Sequence, residues 1–153
     1  ESGYVIDGMN VEIIADGHHL PKELLKLVYK SKGAERIALV TDSMRGAGMP
    51  DGESVLGSLD NGLKVIIEDG VAKLPDRTAF AGSVAFSDRL VRNMINMANV
   101  SVVDAVTMAS TTPAKIIGAN NKGELLPGYD ADVVIFDKDV NVFATIVGGK
   151  RVK

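Results

Sequence analysis

Cysteine and tryptophan are absent from this sequence, histidine occurs twice, and only 5% of its residues are aromatic. Without cysteine there is no disulfide framework, no thiolate zinc site and no cysteine nucleophile, a usage that fits a reducing compartment. Also missing is any block of basic residues: 17 Lys and Arg face 20 Asp and Glu, for a net charge of -3. A surface without a basic stripe cannot neutralise a run of phosphates, which argues against a nucleic-acid partner. No apolar run approaches the roughly 18 residues of a membrane span. The start Glu1-Ser2-Gly3-Tyr4 lacks a basic segment followed by an apolar one. The expectation is a soluble, cytoplasmic protein with no membrane partner.

What is present is globular material. Hydrophobic residues make up 46% of the chain and charged residues 24%, a mixture able to bury a core. The 153 residues suit one ordinary domain but fall well short of the roughly 250 of a complete (β/α)8 barrel. Residues 11–15 form a β-branched run that stops at Asp16-Gly17-His18-His19, a buried strand and its exit loop. Pro21 opens an amphipathic helix over Lys22–Lys32, which Gly33 closes. Residues 37–41 repeat the first pattern and end at Asp42. Strand, helix, strand makes a βαβ unit with a parallel pair.

Breakers then dominate, from Gly46 to Gly52, before two short runs at 64–68 and 71–74 that Asp69-Gly70 joins as a hairpin. Residues 80–83, Phe-Ala-Gly-Ser, read as a glycine-containing loop leading into a helix over 88–98, with further helices over 102–110 and 113–118. The tail, 132–137 and 144–152, reads as two antiparallel strands, the composition turning all-β near Lys122. No repeat or long linker separates the tail, so it is expected to pack rather than hang free. A parallel pair with uncovered edges points to part of something larger.

Asp16 and Asp42 each follow an apolar strand, the position that faces the ligand crevice in parallel α/β architectures, although an Asp there can equally cap a helix or fix a turn. His18 and His19 are adjacent, so in extended chain they point to opposite sides and are poorly placed to share a metal; a loop histidine facing solvent is the plain alternative. Arg45-Gly46-Ala47-Gly48 has neither the spacing nor the following Lys of a nucleotide loop, and Ala81-Gly82-Ser83 is no nucleophile elbow.

Several strings matter more than spacing. Residues 11–19 (VEIIADGHH), 39–44 (LVTDSM), Ala81-Gly82-Ser83 ahead of Arg89-Leu90-Val91-Arg92-Asn93, Met108-Ala109-Ser110, Pro113-Ala114-Lys115 and 127–132 (PGYDAD) occur in one order. Together they resemble the C-terminal part of the N-acetylglucosamine-6-phosphate deacetylase family, within the amidohydrolase superfamily. The likeness runs along nearly the whole chain. It implies an α/β architecture: residues 1–122 would be the C-terminal part of a TIM-like (β/α)8 barrel, its last two βα units with a hairpin insertion. Residues 123–153 would be the C-terminal strands of a small β-sandwich.

The resemblance also implies the activity, hydrolysis of N-acetylglucosamine 6-phosphate to glucosamine 6-phosphate and acetate. Asp42 maps to the family's general base and acid, and His19 to its substrate-binding histidine; His18 falls where the family varies. Asp16 and Gly17 join the substrate-binding loop, and the backbone of Phe80, Ala81 and Gly82 would line the sugar, where Gly82 permits close approach. Residues 84–87, Val-Ala-Phe-Ser, depart from the family's usual Leu or Thr followed by Met, a change in the sugar pocket wall. The family's divalent metal, zinc or iron, is held by a Glu and two His that would lie upstream of Glu1, so no metal ligand is expected in this chain and the chain alone should be inactive. The partners implied are a phosphorylated amino sugar and, at full length, a second copy in a homodimer. Other amidohydrolase chemistries, dihydroorotase-like or aminoacylase-like, and a non-catalytic binding or assembly module are the competing readings.

Overall fold

The computed structural model describes residues 2–152; the outermost positions of the two expected parts, 1 and 153, lie outside the described residues. After a one-turn helix, α1 (Ser2–Val5), the first apolar run forms β1 (Val11–Ile13). Such a run needs a neighbour, and it pairs in parallel with β2 (Ile37–Leu39), Val11 opposite Ile37 and Ile13 opposite Leu39. Both strands stop two residues short of the sequence expectation. Val40 still donates to the Ile13 carbonyl at 3.1 Å, but the chain then turns away to bond elsewhere.

Between them, α2 (Lys22–Lys32) buries Leu25 and Val28 against the pair. Its end is closed by the Gly33 N–H donating to Tyr29 O at 2.9 Å, and a single 3-10 turn, Ala34–Arg36, leads into β2. The βαβ expectation therefore stands.

The middle of the chain departs from expectation. It is a four-stranded antiparallel sheet in the order β3 (Gly52–Leu56), β4 (Leu63–Glu68), β5 (Val71–Lys73) and β6 (Phe80–Ser83). The Asp69-Gly70 turn between β4 and β5 is as expected, with φ of 55° and 75°, the mirror-image turn that matches strand twist. Residues 80–83 are a strand and not a loop: Ser83 pairs with Val71 and Phe80 with Lys73 across a register shift. A short strand with glycine in it takes its structure from pairing to a distant segment, which local pattern does not reveal. The same holds for β3, hidden among the breakers.

Three helices follow: α3 (Ser87–Ala98), α4 (Val102–Ala109) and α5 (Thr111–Ile116). α3 turns Leu90, Val91, Met94 and Ala98 inward, and α4 is capped by Ser101, whose hydroxyl oxygen accepts from Asp104 N at 3.1 Å. Ile13, Leu25, Ile37, Leu90, Met94 and Met108 share one core, while Met44, Val65, Ile67, Ala72 and Ala81 form a second inside the antiparallel sheet.

The tail has three strands rather than two, β7 (Val133–Phe136), β8 (Val142–Val147) and β9 (Lys150–Arg151), because Gly148 and Gly149, at φ 55° and 78°, fold the expected second strand back on itself. It is packed, not tethered. Val140 joins the main core, and Arg92 of α3 donates through Nε to Asp139 O at 2.9 Å and through Nη2 to Val140 O at 2.8 Å. Among the described residues no helix is long and apolar enough to cross a membrane.

Among the described residues the parallel sheet has two strands, and Val134, Ile135, Phe143 and Val147 of the tail are about half exposed or more. Unpaired parallel edges and bare apolar sheet faces drive association. Residues 1–153 purified alone are expected to elute as self-associated species, and a clean monomer by light scattering would contradict this.

Candidate functional site

Both predicted strand-exit carboxylates sit where the sequence places them, in different surroundings. Asp16, at the exit of β1, is only 1% exposed. Its Oδ1 accepts the backbone N–H of His18 at 2.9 Å and of His19 at 3.0 Å, and its Oδ2 lies 2.8 Å from His19 Nδ1. Burial alone would raise its pKa; the N–H donors of His19 and His18 and the His19 ring outweigh that and hold the carboxyl below its ordinary value.

Gly17 makes this tight turn at φ 89°, a conformation side chains resist, and a Cβ there would come 3.2 Å from Asn93 Nδ2. Asn93 reaches from α3 to donate to Ala15 O at 2.9 Å, tying down the strand end. In the sequence Asn93 stands out only as the last residue of the Arg89-Leu90-Val91-Arg92-Asn93 string, with no role of its own. Its signal was a polar residue three positions after Leu90 and four before Met97, on the helix face that packs inward.

The two histidines do not point to opposite sides. Both rings lie against Phe80 of β6, His18 edge-on at 6.3 Å between centroids and His19 tilted at 5.3 Å. The loop is turned by Gly17 and the Asp16 clamp, so the alternation of an extended chain does not apply. Burial, then the charge of Arg89, lowers the His18 pKa against the opposing pull of Asp16.

Asp42, at the exit of β2, is exposed and has a left-handed backbone, φ 46°. The conformation is held from β6: the Ser83 N–H donates to Asp42 O at 3.2 Å, and Met44 N–H donates back to Ser83 O at 2.9 Å. Ser43 Oγ donates to the Ala85 carbonyl just beyond. The sequence gives Ser83 no site role, placing it in a loop and not in a nucleophile elbow, yet it fixes the segment that carries Asp42.

β6 is thus the wall common to both exits. Phe80, 47% exposed, meets the histidine rings; Ala81 is buried in the second core; Gly82, at φ 101°, faces Met44, whose Cβ and Cγ would lie 3.5 Å from a Cβ at that position. Among the described residues, no three His, Cys, Asp or Glu side chains gather as a metal-binding group.

Truncating Asp16 would strand two part-buried backbone N–H donors and the His19 ring, so Asp16→Ala is expected to cost about 2 kcal/mol at neutral pH. Because the folded pKa is depressed, the carboxylate's contribution is complete above its unfolded value and lost as pH falls through the folded one. The gap between wild type and Asp16→Ala in urea unfolding should therefore narrow below about pH 4; a gap that widens in acid would contradict the clamp.

The amidohydrolase family model matches residues 1–152. An N-acetylglucosamine-6-phosphate deacetylase of Lysinibacillus sphaericus is 37% identical over 146 residues, which are 95% of this chain and 36% of that protein. An N-acetylgalactosamine-6-phosphate deacetylase of Escherichia coli O157:H7 is 38% identical over 133 residues, 86% of this chain and 34% of that protein. The crystal structure of N-acetylglucosamine-6-phosphate deacetylase from Thermotoga maritima superposes with a TM-score of 0.90 at 38% identity, covering 99% of this chain and 40% of that one. The chain spans about a third of the length of the curated relatives it matches. With its sequence matched from end to end and its fold shared with that crystal structure, the chain belongs to the amidohydrolase family.

Proposed function

We propose that these residues form part of an enzyme that hydrolyses the acetamide of an N-acetylated hexosamine 6-phosphate, with N-acetylglucosamine 6-phosphate as substrate. The observation that carries the reading is the pairing of an exposed Asp42 and a ring-positioned His19 at the exits of two parallel neighbours, both anchored on β6. The deacetylase relatives supply the chemistry that such a pair suits.

In this reading Asp42 takes a proton from the water that adds to the acetyl carbonyl. As the carbon–nitrogen bond breaks, the same carboxyl returns that proton to the departing amine, leaving acetate and a free amino sugar. One group serves both steps because the proton it takes from water makes it the acid that the departing amine needs, and its exposure leaves it open to substrate. His19 contacts the sugar phosphate, and Phe80 and Gly82 line its path. The amidohydrolase family implies a divalent metal, zinc or iron in this reading, but the described residues do not make a site for one; its ligands would come from elsewhere in the complete polypeptide. We place residues 1–122 in the closing part of the barrel and 123–153 in the sandwich, in a full-length homodimer.

A second substrate reading has its own support, since the N-acetylgalactosamine-6-phosphate relative is as similar to this chain as the N-acetylglucosamine-6-phosphate ones. Acetate release from both epimers by the complete polypeptide decides between them, and activity on dihydroorotate or N-acyl amino acids instead of either would overturn the sugar assignment. Asp42→Asn should lower the rate about 1,000-fold with its melting temperature unchanged, because Asn accepts a left-handed backbone. An Asp42→Asn enzyme of near wild-type rate removes Asp42 from the chemistry.

A further inference from the structure

The Asp16 carboxylate does more than cap a turn. A loop cap needs one oxygen, and Oδ1 meets that need with the N–H groups of His18 and His19. The second oxygen, Oδ2, is spent on the His19 ring at 2.8 Å from Nδ1, and the Asp16 side chain is wholly buried while the His19 side chain keeps 22% exposure. An ionised carboxylate has only acceptors to offer, so the proton in that contact sits on Nδ1. Nε2 is left as the ring nitrogen for a ligand, accepting from a hydroxyl when the ring is neutral and donating to an anion when it is charged.

The neighbours keep that arrangement from relaxing. Asn93 holds Ala15 O, the carbonyl just before Asp16, and the missing Cβ of Gly17 leaves the Asn93 amide room to do so. Phe80 lies against the His19 ring at 5.3 Å between centroids. Backbone, side chain and ring are each fixed from a different element.

We propose that Asp16 is a positioning residue rather than a substrate contact: it holds His19 in the Nδ1–H form so that Nε2 is the atom presented to the sugar phosphate. The proposal rests on the reading of His19 as a ligand contact, and the experiment separates the two. In the complete polypeptide labelled with 15N-histidine, long-range proton–nitrogen correlation on the neutral ring should show His19 protonated at Nδ1 and bare at Nε2. That measurement needs no variant, and a proton on Nε2 overturns the proposal. In Asp16→Asn the amide oxygen keeps the backbone donors while its NH2 faces Nδ1, so the proton should move to Nε2. KM for the N-acetylated sugar phosphate should rise about tenfold with kcat changed less than about threefold. The same substitution made on a His19→Gln background should leave KM where His19→Gln alone puts it. An equal Asp16→Asn penalty with and without the imidazole would reduce Asp16 to a structural cap and sink the proposal. A His19→Gln enzyme with wild-type KM would overturn the ligand contact, while the spectrum still decides whether Asp16 governs the ring.

Discussion

Two backbone hydrogen bonds at Ser83 are the constraint on which the site depends. One fixes Asp42 O and the other fixes Met44 N, so a single strand residue governs the backbone on both sides of Ser43. They hold Asp42 in a left-handed backbone, a conformation that aspartate and asparagine adopt more readily than most side chains. Because Ser83 also pairs with Val71, the position of Asp42 is referred to the antiparallel sheet and its own core. The parallel pair supplies the two exits; β6 sets the distance between what emerges from them.

Much of this was legible in the sequence where the signal is local. The apolar runs of β1 and β2, the amphipathic stretch of α2 with its terminal glycine, and the Asp69-Gly70 turn each declare themselves within a few residues. What stayed hidden was set by partners far along the chain. Phe80-Ala81-Gly82-Ser83 has no clear alternation and contains glycine, and pairing with the Val71, Lys73 and Ser43 backbones makes it a strand. β3 lies among breakers for the same reason, and the tail's extra strand depends on a two-glycine turn inside one apolar run.

The site divides in the same way. Asp42 and His19 could be picked out because strand exits in parallel architectures face a crevice and because the surrounding strings resemble a known family. Their supports could not, since Asn93 and Ser83 act at sequence separations of 78 and 41 residues, Ser83 through backbone atoms that carry no residue signature and Asn93 through an amide whose partner is a distant carbonyl. The expectation that two adjacent histidines diverge failed because Asp16 and Gly17 curl the chain, and extended-chain geometry holds only while the chain is extended.

Arg92 and Asn93 are consecutive on α3 and face different tasks, one gripping the carbonyls of the tail and the other the carbonyl at the end of β1. A roll or shift of that helix moves both grips at once. One helix therefore holds both the tail and the histidine loop, and an engineer who exchanges residues 123–153 for the equivalent segment of a relative must preserve the two carbonyls that Arg92 holds. A chimera that keeps the sheet but loses that grip would carry its fault to a ring it never touches.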